Sequence, residues 1–156
     1  VASMFGMFAG IYHWFPKMTG RMYSEGLGKL HFVLTFIGTN ACFFPMHPLG
    51  LQGMPRRVAS YDPEFAFWNA IASLGGFLLG VSTIPFILNM ISSWVQGEKA
   101  PKNPWRAIEL EWLVSSPPTV ENFEELPIVI SEPYGYREDE PLVSNPNALE
   151  VARETN

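Results

Sequence analysis

Residues 65–95 read FAFWNAIASLGGFLLGVSTIPFILNMISSWV, a stretch without Asp, Glu, Lys or Arg. Asp62-Pro63 just ahead of it is a helix-start signal. A run of this length and composition reads as a transmembrane helix, able to cross about 30 Å of hydrocarbon with some tilt. Pro85 should kink it by freeing a backbone carbonyl, and Ser82 is the nearest hydroxyl able to satisfy that group.

Working toward the N-terminus, a second apolar run extends from about Leu27 to Met46. Only Lys29, His31 and Asn40 interrupt it strongly before Pro45 and Pro48 forbid a regular helix. It predicts a second crossing. The first run, Val1–Phe15, has no basic segment before it and no small-residue cleavage site after it, so it does not read as a signal peptide. It is shorter than the ~20 residues a span needs and is expected to be the second half of one. The spacings Gly6 to Gly10 and Gly76 to Gly80 are candidate points of close helix approach. Tyr12, Trp14, Tyr61, Trp68 and Trp94 fall at the run ends, where aromatic belts form.

Charge supports two solvents for one chain. Of 156 residues 47% are hydrophobic and only 16% charged, against roughly 25% charged in soluble domains. Up to Trp94 the acidic residues are Glu25, Asp62 and Glu64, and the net charge of -5 belongs to the remainder. Such a surface does not attract nucleic acid. The single cysteine, Cys42, excludes an internal disulfide and reads as a small packing residue. The expected fold is all-α: a polytopic transmembrane helical bundle, the end of one helix plus two full transmembrane helices, with an extended C-terminal tail. Residues 1–96 form the transmembrane part and 97–156 a Pro/Glu-rich inner-side tail. Lys17, Arg21 and Lys29 in the first connection, and Lys99, Lys102 and Arg106 after the third run, put both regions on the cytoplasmic side. The loop between the second and third helices then lies outside.

That outer loop contains Gly53-Met54-Pro55-Arg56-Arg57, an arginine pair against the loop-charge bias. Adjacent guanidiniums behind a proline suit two carboxylates. Lipid headgroup binding or snorkelling would explain them equally well. His13, His31 and His47 stand alone on their segments, without Cys or carboxylate at ligand spacing, so no metal site is expected from local motifs. Nucleophile elbows, phosphate loops and paired intramembrane carboxylates are likewise missing from the pattern.

Several stretches, in order and spacing, resemble motifs of cytochrome c oxidase subunit I: His13-Trp14-Phe15-Pro16, Phe43-Phe44-Pro45-Met46-His47 and Leu49-Gly50-Leu51-Gln52-Gly53-Met54-Pro55-Arg56-Arg57. Trp68-Asn69, Leu110-Glu111-Trp112, Ser115-Ser116-Pro117-Pro118 and Phe123 are similar to the same subunit's last helix and tail. The likeness extends to about Pro127, with Pro48 standing where members carry a bulky apolar or aromatic residue.

The resemblance implies a twelve-helix subunit with two haems and one copper, of which this chain supplies the end of the tenth helix, the eleventh and the twelfth. It implies electron transfer from cytochrome c through the haems to a haem-copper centre, with dioxygen reduced to water and protons pumped. The metal ligands would lie outside this chain, and Arg56 and Arg57 would contact haem propionates. Implied partners are the remaining helices of subunit I, oxidase subunits II and III, cytochrome c and membrane lipid. The tail wording resembles bacterial forms, which points to a bacterial plasma membrane or cyanobacterial thylakoid rather than the mitochondrial inner membrane. Quinol oxidases share the Glu-Trp and Ser-Ser-Pro-Pro signature, but their loop usually lacks the Met-Pro. A non-catalytic structural or transport membrane protein is the reading that composition alone would allow.

Overall fold

A computed structural model describes residues 1–107 and 109–123. Four α-helices follow one another: α1 (Ala2–Thr19), α2 (Glu25–Phe43), α3 (Met46–Leu51) and α4 (Ala66–Gln96). Short 3-10 turns occupy Pro63–Phe65 and Leu110–Trp112. No strand occurs among the described residues, only an isolated antiparallel bridge between Arg21 and Lys99. The segments Glu25–Leu51 and Pro63–Gln96 are long and apolar enough to cross a membrane, as the sequence led us to expect. At 1.5 Å per residue the 31 residues of α4 reach roughly 46 Å, more than the hydrocarbon core.

The described residues pack as two compact units, Val1–Ala2 with Ser24–Val95, and Ser3–Tyr23 with the described residues from Gln96. In the first unit α2 and α4 share a seam built from small and polar residues, because lipid-embedded helices gain little from burying one apolar side chain against another. Gly75 is where the backbones meet: a Cβ there would fall on the Cys42 nitrogen. One on Gly38 would meet the Leu79 nitrogen at 3.0 Å. Within this chain the close approach falls at Gly75 and Gly38, not at the Gly76 and Gly80 spacing. Atoms added at Gly76, Gly80 or Gly6 would meet nothing within 4 Å, and at Gly10 only the side chain of Trp14 on the same helix.

Along the seam the Thr35 hydroxyl donates to Ser82 Oγ at 3.0 Å, and Ser82 donates to the Leu79 carbonyl at 2.7 Å. Ser82 thus ties α4 to α2 and does not serve the carbonyl four residues before Pro85. α4 runs through Pro85 without interruption. The His31 ring, buried on α2, packs 5.1 Å from that of Phe86. At the far end of the seam Asn89, 0% exposed, donates from Nδ2 to the Ser24 carbonyl and accepts the Ser24 N–H at Oδ1, both at 2.9 Å. Ser24 is the N-cap of α2 and makes no capping bond with its own side chain. Asn89 supplies what a neighbouring strand would.

In the second unit the polypeptide after Gln96 lies along the C-terminal end of α1. Backbone bonds from Met22 N–H to Glu98 O (2.8 Å) and Ala100 N–H to Gly20 O (2.9 Å) start the docking. Gly20 has φ +69 and a Cβ there would lie 2.7 Å from Pro117 Cδ, so only glycine fits that turn. Trp112 becomes 1% exposed and Val114 8%. Lys17, expected in the connecting loop, belongs to the last turn of α1, which extends to Thr19.

Candidate functional site

The arginine loop begins where Pro45 ends α2 and starts α3. Gln52 N–H to Pro48 O (2.9 Å), Gly53 N–H to Gly50 O (3.1 Å) and Met54 N–H to Leu49 O (3.0 Å) then turn the chain sharply. Gly53 makes that reversal with φ +85. The loop is anchored from α4: Asn69 donates from Nδ2 to Phe65 O in the 3-10 turn that leads into the helix (2.9 Å) and to Met54 Sδ at 3.4 Å. Sequence reading marked both Met54 and Asn69 by resemblance, but nothing in their spacing showed that they touch.

Beyond this anchor Arg56 and Arg57 form a turn and are both exposed. Arg57 adopts φ 58, a left-handed conformation that costs a non-glycine residue about 1–2 kcal/mol. Such outliers concentrate at ligand clamps, where the surrounding structure holds them. The pair offers up to ten N–H donors in two rigid forks and no acceptor, a donor set that fits a group bearing two carboxylates. It does not fit a metal. Among the described residues no three His, Cys, Asp or Glu side chains come together to hold an ion.

The histidines are dispersed. His13 is exposed and stands among aromatic rings, 5.0 Å from Trp112 and 6.1 Å from Trp105. His31 lies in the α2–α4 seam, and His47 Nδ1 is 3.2 Å from the Phe44 carbonyl in α3.

The second polar centre escaped sequence reading. Lys17 Nζ donates to the carbonyls of Val114 (2.8 Å), Lys102 (3.1 Å) and Ser115 (3.4 Å) and lies 5.1 Å from the Trp112 ring centroid. Burial pushes its ammonium below the ordinary lysine range, and the Glu111 carboxylate partly opposes that shift. No local motif could have revealed it, since its acceptors are up to 98 residues away.

Membrane-length helices, a small-residue seam and an anchored arginine loop define an integral membrane helical protein. A model of the family described as cytochrome c and quinol oxidase polypeptide I matches residues 1–78, half of the chain, and the chain belongs to that family. It is similar to cytochrome c oxidase subunit 1 of Thermostichus vulcanus, 60% identical over 86% of this chain and 24% of that protein. To the Synechocystis sp. protein of the same name it is 53% identical over 96% of this chain and 27% of the relative. For Corynebacterium glutamicum the figures are 48%, 83% and 23%. The chain thus spans about a quarter of the length of these relatives.

Proposed function

We propose that this chain forms the C-terminal part of the catalytic subunit I of cytochrome c oxidase. The complete enzyme accepts electrons from cytochrome c, passes them through two haems to a haem-copper centre, reduces dioxygen to water and pumps protons. The observation that carries this reading is the exposed Arg56-Arg57 pair, held in a left-handed turn on a loop anchored by Asn69, in a chain whose relatives bear that enzyme's name.

Arg56 and Arg57 hold haem propionates in this proposal. Charge-assisted hydrogen bonds fix the carboxylates, and two nearby positive charges favour the more electron-rich state of the haem, raising its reduction potential. Iron and copper ligands come from parts of the complete subunit outside this chain. Its partners are the other helices of that subunit, oxidase subunits II and III, and cytochrome c as donor. Its membrane is a bacterial plasma membrane or a cyanobacterial thylakoid, in line with the sources of the relatives. A quinol-oxidising role is the second reading, and Met54-Pro55 before the arginines favours the cytochrome c type.

The test is to purify the complex containing this chain from its membrane and record a reduced-minus-oxidised visible spectrum, with cytochrome c and a quinol as alternative donors. Haem bands and oxygen uptake with cytochrome c are expected. A complex without haem, or one oxidising only quinol, defeats the proposal.

A further inference from the structure

Around the C-terminal end of α1 the rings form a continuous cluster. Tyr12 is 4.9 Å from Tyr23, Tyr23 is 6.3 Å from Trp105, and Trp105 stacks at 6.1 Å on His13. His13 in turn lies 5.0 Å from Trp112 and 5.3 Å from Trp14. Indoles and phenols are, with thiolates, the side chains most easily oxidised by one electron, and those of this cluster lie close enough, across the intervening His13 ring, for an electron vacancy to move between them. An interfacial aromatic belt accounts for the composition of this cluster. It does not account for its charges.

The three indoles sit in different fields. Trp112 is buried with the Lys17 ammonium 5.1 Å from its ring centroid. A positive charge so close, in a site water does not reach, opposes the formation of a second one on that ring. Trp105 donates its indole N–H to the His13 carbonyl at 2.9 Å, a neutral acceptor that cannot take a proton. Trp14, 45% exposed, donates its N–H toward Glu111 Oε1 at 3.3 Å. That carboxylate both favours positive charge on the ring and can accept its proton.

We propose that Trp14 is a redox-active tryptophan, the terminal site for a one-electron vacancy shared by the cluster, with Glu111 as its proton acceptor. The chemistry balances with two outside reactants, a strong one-electron oxidant and a thiolate reductant. A strong one-electron oxidant removes an electron from any ring of the cluster, and electrons pass from ring to ring until the vacancy resides on Trp14. The indole radical cation gives its N–H proton to Glu111, leaving a neutral indolyl radical and a carboxylic acid. A thiolate then returns one electron, Glu111 returns the proton, and a thiyl radical leaves. The need for such an outlet rests on the oxygen-reducing reading above, whereas the geometry of the cluster does not.

The test uses the complex in detergent with a photo-oxidised ruthenium polypyridyl as the oxidant. Electron paramagnetic resonance reports which ring carries the radical and whether it is protonated. A neutral radical on Trp14 is expected, lost in W14F. In E111Q, which keeps size and polarity, the yield of neutral radical should fall several-fold and the protonated cation should persist. In K17M part of the radical should move to Trp112. A radical on Trp112 or Trp105 in the unmodified protein, or wild-type yield and protonation state in E111Q, overturns the assignment. Because the oxidant is supplied externally, neither result depends on oxygen reduction by the complex, which the haem spectrum and oxygen uptake test separately.

Discussion

Asn89 holds both backbone groups of Ser24, accepting its N–H and donating to its C=O at 2.9 Å each, across 65 residues of sequence. A side-chain amide has the same donor and acceptor as a peptide bond, so it pairs with the start of α2 as an adjacent strand would. Ser93 adds a third bond, from its hydroxyl to Asn89 Oδ1 at 3.1 Å.

Asn89→Leu removes both bonds to Ser24: the Ser24 C=O keeps only the Gly28 N–H at 3.0 Å, the Ser24 N–H loses its partner, and a bulkier side chain enters a buried position. We expect a loss of about 1–3 kcal/mol, from two broken bonds of which one leaves the Ser24 N–H without its partner. Asn89→Gln should recover little, because its amide is displaced by a methylene. Denaturant unfolding in mixed micelles checks this, and stability unchanged within about 0.5 kcal/mol would contradict it.

Gly75→Ala must push α2 and α4 apart, since the new methyl would fall on the backbone of Ala41 and Cys42. The expected cost is about 1–3 kcal/mol, the range for overpacking a tight contact. Gly76→Ala places its methyl in open space of this chain and should leave the α2–α4 contact intact. Cysteine cross-linking across the seam, with each variant compared to wild type, distinguishes the two.

The lysine cage gives a pH dependence. With its pKa lowered by burial, native Lys17 releases its proton at a lower pH than the unfolded chain does. Between that lowered value and the ordinary lysine range the unfolded chain binds more protons, so stability rises with pH across the window and is flat below it. Lys17→Met should abolish this rise. At neutral pH it should also cost about 2–4 kcal/mol, because the Val114, Lys102 and Ser115 carbonyls lose their donor. Trp112 fluorescence during unfolding at several alkaline pH values reports both effects.

For the arginine loop, Arg56→Ala in the intact enzyme should lower the haem reduction potential and impair proton release. Arg56→Lys should do so less, since it keeps the charge and loses the fork. Redox titration of the haem bands measures the first effect and proton release during turnover the second. Unchanged values in Arg56→Ala would remove the propionate assignment while leaving the family membership untouched.

Both crossings were legible because long apolar runs with at most one charge suit a membrane span, and Asp62-Pro63 marked the start of α4 within a few residues. The arginine pair stood out because it opposes the charge bias of its own loop. What escaped was any relation across distance. Glycine spacing alone does not say which helix face meets which neighbour, so it singled out Gly76 and Gly80 and not Gly75 and Gly38, where α2 and α4 meet. Ser82 was assigned to the nearest carbonyl without account of Thr35, 47 residues away. Lys17 looked like loop charge because the apolar run ends at Phe15, yet α1 continues to Thr19.

The lysine cage also sets an order in time. A ribosome makes Lys17 long before Val114, which lies 97 residues later. Until then the ammonium must remain hydrated or borrow acceptors from lipid headgroups or insertion machinery. The stretch around Val114 therefore closes over a side chain made 97 residues before it, and a product released earlier would carry an exposed cation at the end of α1.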